Sequence, residues 1–241
     1  MKNQSKEKGK LYGVGVGPGD PELMTLKAKR ILEEANFVAI PKTASHRPSQ
    51  ALTIARGVVG KEKAILELHF PMSYDEKILG DSWRTAVLQV KEKLDGGGDV
   101  AFITLGDPTV YSTYMYIHKT LKEEGYRTEI IPGITSFCAS AARAGISLGE
   151  NRETIAVIPS AYECENLEEI LEGFDSVILM KVSKNFSRLK EKLKARGMLE
   201  KSVLVSRCGL EDERIEFDIE GVDEGELSYF TTIITKKSGV R

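Results

Sequence analysis

The sequence predicts an α/β fold of two domains, the first with a mostly parallel sheet and the second with a mixed one. Three observations predict it. Short apolar runs at 11–16, 100–105 and 129–131 each lead into a glycine loop: Gly17-Pro18-Gly19-Asp20-Pro21, Leu105-Gly106-Asp107-Pro108 and Ile131-Pro132-Gly133-Ile134-Thr135. Up to Gly125 apolar runs alternate with helical periodicity, the rhythm of parallel strands with helices on both faces. Beyond it the runs crowd together with fewer helices between them, which implies antiparallel pairs. The boundary is expected at 126–129, giving domains 10–127 and 128–241.

The elements follow in order. Residues 1–9 offer nothing apolar to bury and read as a disordered tail. Asp20 suits an N-cap and Pro21 a first helical position, and Met24, Ala28, Ile31 and Ala35 share one helix face. A strand at 37–40 is expected to stop at Pro41. A polar loop containing His46, Arg47 and Pro48 precedes a short helix at 51–59, and another strand covers 64–68. Trp83, Val87, Val90 and Leu94 mark a helix that ends at Gly96-Gly97-Gly98. A helix with Tyr114, Ile117 and Leu121 on one face follows the second loop. Strands are then expected at 155–158, 176–180, 203–206, 214–217 and 230–235, with one clear helix through Phe186, Leu189 and Leu193.

Composition bounds the function. The 241 residues are 41% hydrophobic and 29% charged, as in globular proteins, and the net charge of −2 gives no general attraction to nucleic acid. The first ten residues carry no signal-peptide core, and no apolar run approaches the roughly 18 residues that cross a bilayer. Three dispersed cysteines suggest neither a disulfide framework nor a metal site. A reducing cytoplasm fits these features.

Loops at the carboxyl ends of strands are where open α/β sheets bind ligands. Glycine there admits positive φ and close approach to the main chain. Three such loops imply one shared cleft and a small-molecule enzyme. The cleft is not a dinucleotide site. Gly13 and Gly15 would need a glycine five residues on, where Pro18 and Asp20 stand. A Walker A loop is absent, and His46, His69 and His118 stand alone, without metal-ligand spacing.

Taken in order, residues 14–21, 106–113 and 130–137 resemble the tetrapyrrole methylase family, over most of the chain from about residue 11 to 236. Within the family, the 106–117 run through Thr109, Val110, Tyr111, Ser112, Thr113 and Tyr114 is most similar to the branch that methylates C20 of precorrin-2 or cobalt-factor II. The resemblance implies S-adenosylmethionine as cofactor, a tetrapyrrole substrate, a homodimer and an active site in the cleft between two domains. It implies cofactor contacts at Pro18, at Leu105, Gly106, Asp107 and Val110, and at Thr135 and Ser136. It adds Met180, Cys208, Gly209, Thr231 and Thr232, with Cys208 standing where the family often has glycine. No metal is required. Asp107 and Tyr111 are placed to accept the displaced meso proton. Whether the substrate carries cobalt stays open.

Plainer readings stand beside these. Gly19-Asp20-Pro21 by itself reads as a helix cap, Met180 as core, and Tyr114 as packing. The small residues at 139–142 next to Cys138 read as a site of close helix packing. Lys42, Arg47 and Arg56 sit in or near polar loops where substrate carboxylates could bind, although a solvated loop explains each of them. A methyltransferase of the same fold acting on RNA or protein, and a non-catalytic binding module, remain the competing functions.

Overall fold

The computed structural model describes residues 7–42, 49–60, 63–71, 75–159 and 161–240. The chain divides into two compact units, Met1–Thr135 and Ser136–Arg241. His46, Arg47 and Pro48 lie outside the described residues.

The first unit alternates strand and helix: β1 (Leu11–Gly15), α1 (Leu26–Glu34), β2 (Phe37–Lys42), α2 (Gln50–Val58), β3 (Ala64–His69), α3 (Glu76–Asp95), β4 (Val100–Thr104), α4 (Tyr114–Glu123) and β5 (Thr128–Ile131). The strands form a parallel sheet in the order β3-β2-β4-β1-β5. Strand side chains alternate between faces, so a central strand covered on both sides must be apolar throughout. In β4, Ala101 and Ile103 pack with Ile31 and Leu32 of α1 and Ile54 of α2. Val100 and Phe102 pack with Val90 and Leu94 of α3 and Ile117 and Leu121 of α4.

Four expectations change here. The tail read over 1–9 is tied down at its end, where Gly9 N donates to Leu94 O at 2.8 Å and Lys8 O accepts from Arg127, while 1–6 lie outside the described residues. The boundary near 126–129 would have given β5 to the second domain, yet Leu11 to Val14 of β1 pair with residues 128–131. β5 closes the first sheet, and the division falls between Thr135 and Ser136. Pro41 does not stop β2. The pairing of β2 with β4 ends at Ala39, whereas that with β3 continues to Lys42, so the missing N–H breaks no bond to β4. Asp20 does not cap the first α-helix. Its carboxylate accepts from Glu22 N at 2.8 Å and caps a single 3₁₀ turn at Pro21–Leu23. The chain then extends at Met24, and Thr25 starts α1 by accepting from Ala28 N.

The second unit comprises α5 (Ser136–Ala144), β6 (Ile155–Ile158), α6 (Leu167–Gly173), β7 (Ser176–Met180), α7 (Phe186–Ala195), β8 (Ser202–Ser206), β9 (Arg214–Glu216) and β10 (Thr231–Lys236). Its sheet is mixed, in the order β6-β7-β10-β8-β9, with β6 and β7 parallel and the other pairs antiparallel. Leu167 and Leu171 of α6 and Phe186, Leu189 and Leu193 of α7 bury one face with Leu179, Leu204 and Ile233. α5 packs against β8 and β10, and its buried Ala139, Ser140 and Ala141 allow close approach. Periodicity missed α6, because seven residues supply one i, i+4 pair within an acidic stretch.

Candidate functional site

In the first unit the three glycine loops lock together through their backbones. Gly17 N donates to Gly106 O at 3.4 Å and Gly106 N to Gly17 O at 2.8 Å, with φ of +80° and +70°. Only glycine adopts such angles without strain. Gly15 and Gly133 answer a different need, close approach. A Cβ on Gly133 would lie 2.2 Å from Gly106 O, and one on Gly15 would lie 2.5 Å from the same oxygen.

Asp107 is buried and staples these loops. One carboxylate oxygen, Oδ2, accepts from Gly133 N at 2.9 Å. The other accepts from Thr109 N at 2.8 Å and from the Thr109 hydroxyl. Both oxygens are therefore engaged, which fits a positioning group better than a base. Thr109 carries this role and was not singled out from the sequence, although Asp-Pro-Thr is a common pattern for a side-chain turn.

Around the staple, Pro18 and Gly106 are buried and Leu105 and Val110 half-buried at the ends of β1 and β4, as expected of a loop site. Thr135 is half-buried beyond β5, the last residue of this unit. Tyr111 is 53% exposed, with φ of +50°, a left-handed angle that is unusual outside glycine. Ser112 donates to Thr104 Oγ1 at 3.0 Å and accepts from Tyr114 N at 3.2 Å, tying the Tyr111 segment to β4. Tyr114 is core, as its spacing indicated: fully buried, it lies against Gly13, where a Cβ would sit 2.2 Å from its ring. Burial pushes its phenol up. Lys42, one candidate for substrate carboxylates, is paired with Glu67 at 2.6 Å.

In the second unit the expected residues gather at one end of the sheet. Met180, the last residue of β7, pairs with Thr232, and Thr231 pairs with Ser206, the last residue of β8. The Ser206 and Thr231 hydroxyls lie 2.9 Å apart, and the latter also donates to Ser228 O at 2.6 Å. Met180 is half-buried and Thr231 and Thr232 are buried. Cys208 is buried, which pushes its thiol up and away from reactivity. Gly209, with φ of +75°, donates to Glu213 Oε2 at 2.6 Å.

Glu213 in turn pairs with Arg143 of α5, at 2.8 and 3.1 Å from Nε. Burial alone would raise the Glu213 carboxyl, but the hydrogen bonds from Arg143 and Gly209 outweigh it and hold the group below the usual glutamate range. Nothing in the sequence pointed to this pair, which lies seventy residues apart. Ser136 starts α5. Among the described residues no group of His, Cys, Asp and Glu is placed to hold a metal ion, and no helix is long and apolar enough to cross a membrane.

The chain resembles known proteins along nearly its full length. A cobalt-precorrin-2 C(20)-methyltransferase of Salmonella typhimurium is 35% identical over 95% of this chain and 97% of its own. A Methanocaldococcus jannaschii protein named "Probable cobalt-precorrin-2 C(20)-methyltransferase" is 40% identical over 86% of each chain. Among solved structures, a cobalt precorrin-4 methyltransferase superposes with a TM-score of 0.72 at 24% identity, covering 94% of each chain. A Thermus thermophilus uroporphyrin-III C-methyl transferase, solved with S-adenyl homocysteine, gives 0.68 at 22% identity, covering 95% of this chain and 98% of that one. The overall fold is thus shared with these solved methyltransferases. The family model for tetrapyrrole (corrin/porphyrin) methylases matches residues 10–221, and the chain belongs to that family.

Proposed function

We propose that this chain transfers the methyl group of S-adenosylmethionine to C20 of precorrin-2 or its cobalt-containing counterpart, in the assembly of the corrin ring. The observation that carries this reading is identity of 35–40% to relatives named for that reaction, over most of both chains. The donor set fits a sulfonium cofactor. Pro18, Leu105, Gly106, Asp107, Val110 and Thr135 of the first unit, with Ser136, Met180, Cys208, Gly209, Thr231 and Thr232 of the second, are its contacts. Main-chain groups of the glycine loops orient its polar ends, Met180 offers an apolar surface for its adenine, and the threonines supply hydroxyls.

S-Adenosylmethionine supplies an electrophilic methyl carbon. The nucleophile is the electron-rich meso carbon of the substrate, so the protein's task is to hold both partners in line. Asp107 serves that task through Gly133 and Thr109, and the displaced proton leaves to ring nitrogens or water. Tyr111, exposed beside the staple, is the remaining side-chain candidate for that proton. The chain works in the cytoplasm, as its biosynthetic relatives suggest, with no nucleic-acid partner. It acts as a homodimer, twofold pairing being the commonest arrangement of soluble oligomers.

Incubation with labelled S-adenosylmethionine and precorrin-2, with and without cobalt, tests the function. Label in the macrocycle at C20 is expected, and label at another position or none overturns it. Asp107→Asn tests the role of the staple, because its amide turns a donor toward Gly133 N or Thr109. A positioning group predicts that kcat and affinity for S-adenosylhomocysteine fall together, whereas a base predicts a fall in kcat alone. Sedimentation as a 26.6 kDa species at micromolar concentration would refute the dimer.

A further inference from the structure

The end of the second sheet that carries Met180, Thr231 and Thr232 also carries residues outside the set of expected cofactor contacts. Lys181, directly after β7, and Arg207, directly after β8, both have left-handed backbones, with φ of +57° and +54°. Side chains rarely adopt such angles, and they persist at functional sites where the surroundings enforce them. Both residues are cations. Arg207 is paired with Asp212. Lys181 has no carboxylate partner among the described residues, and its ammonium lies 5.7 Å from the centre of the Tyr229 ring.

Tyr229 packs edge-on against Phe230, their centroids 5.5 Å apart at 77°. Both rings are exposed, 49% and 37%, which is unusual for two adjacent aromatic side chains. They are also anchored. Phe230 O accepts from Arg207 N at 2.9 Å, and the next residue, Thr231, accepts from Val182 N. Two exposed rings set edge to face, beside an ammonium with no carboxylate partner among the described residues, are thus anchored at the strand ends.

A tetrapyrrole presents the matching chemistry: a broad apolar ring edged with carboxylate arms. We infer that Lys181, Tyr229 and Phe230 form a substrate subsite, in which the aromatic pair meets the macrocycle and Lys181 receives one of its carboxylates. The inference rests on the proposed substrate class and adds to it the residues that recognise that class. The cation–aromatic contact keeps the ammonium in place, and a carboxylate arriving there forms a charge-assisted hydrogen bond.

Uroporphyrin III, a fluorescent octacarboxylate macrocycle, serves as probe, with S-adenosylhomocysteine affinity and Tm measured on the same samples. Lys181→Gln is expected to weaken uroporphyrin binding about tenfold, the loss of one charge-assisted bond, and to flatten its salt dependence. Affinity for S-adenosylhomocysteine should stay as in the wild type. Tyr229→Ala should weaken macrocycle binding while Tyr229→Phe preserves it. Lys181→Gly removes the backbone strain and should weaken the macrocycle with Tm unchanged or higher, a combination that a structural role for Lys181 would not produce. Unaltered uroporphyrin binding in Lys181→Gln, or an equal loss of S-adenosylhomocysteine affinity, overturns the inference. A wild type that binds uroporphyrin through Lys181 but does not methylate precorrin-2 would instead overturn the proposed reaction and leave the subsite standing.

Discussion

The two units solve one mechanical problem, holding a loop rigid at the end of a strand, by different means. In the first, neutral backbone does most of the work: glycines in direct contact exchange main-chain hydrogen bonds, and Asp107 joins two loops through N–H and hydroxyl donors. In the second, an ion pair takes part. Glu213 accepts from Gly209 N and is itself held by Arg143, while non-glycine residues take left-handed angles at 181 and 207, as Tyr111 does in the first unit. The contrast follows from sheet architecture. Parallel strands all end on one edge, so the loops after the adjacent β4, β1 and β5 can touch through their backbones, whereas β7 and β8 end at one edge but are separated by β10, which runs the other way.

The sharpest way to break this comparison is to open the first unit's interlock. Gly133→Ala places a methyl 2.2 Å from Gly106 O, a backbone atom that cannot yield without parting the loops. A loss of about 3 kcal/mol or more is expected in denaturant unfolding, with loss of cofactor binding. A change below about 0.5 kcal/mol would show that the loops separate freely. The brace of the second unit should be weaker. Glu213→Ala strands the Gly209 N–H and leaves Arg143 without this carboxylate, which should cost about 1–3 kcal/mol and weaken S-adenosylhomocysteine binding. Glu213→Gln, which keeps an acceptor for Gly209, should recover much of the affinity. If Gln and Ala behave alike, the charge and not the N–H contact is what matters.

A smaller effect lies away from both loop systems. Hydrogen bonds from Lys10 and Lys27 hold the Glu129 carboxyl down at about 2. A carboxyl whose pKa is depressed by folding contributes stability above its unfolded value, near 4.5, and loses that contribution as pH falls toward 2. Glu129 is partly exposed, so screening limits the gain to about 1 kcal/mol. Glu129→Gln should lower stability by that amount at neutral pH and by nothing near pH 2. An equal difference at both pH values would assign the effect to packing.

Much of this was legible from the chain alone, where the signal was local. The apolar run at 100–104 announced a strand covered on both faces, and Ile117 and Leu121 announced the buried side of α4. The combination of glycine loops pointed to the methylase family. Legibility failed where the deciding partner is distant. Thr25 outcompeted Asp20 as the helix cap, and Pro41 continued a strand because its neighbour on one side had already ended. The boundary slipped for the same reason, since β5 belongs with β1, more than a hundred residues earlier.

Local covalent pattern therefore determined the kinds of elements in this protein, their order, and the glycine positions at which a backbone can come close to a ligand. These depend on periodicity and on φ preference, properties of a few adjacent residues. Tertiary structure alone decided which partners each polar side chain meets. Asp107 could be read from the sequence as a positioning group or a base, and only the fold shows that both its oxygens are engaged, one by a loop 26 residues away. Glu213 looked like one acid among many until it met Gly209 and Arg143. A carboxylate's role is set by the donors around it, and strand pairing, which brings those donors together, is written over the whole length of the chain.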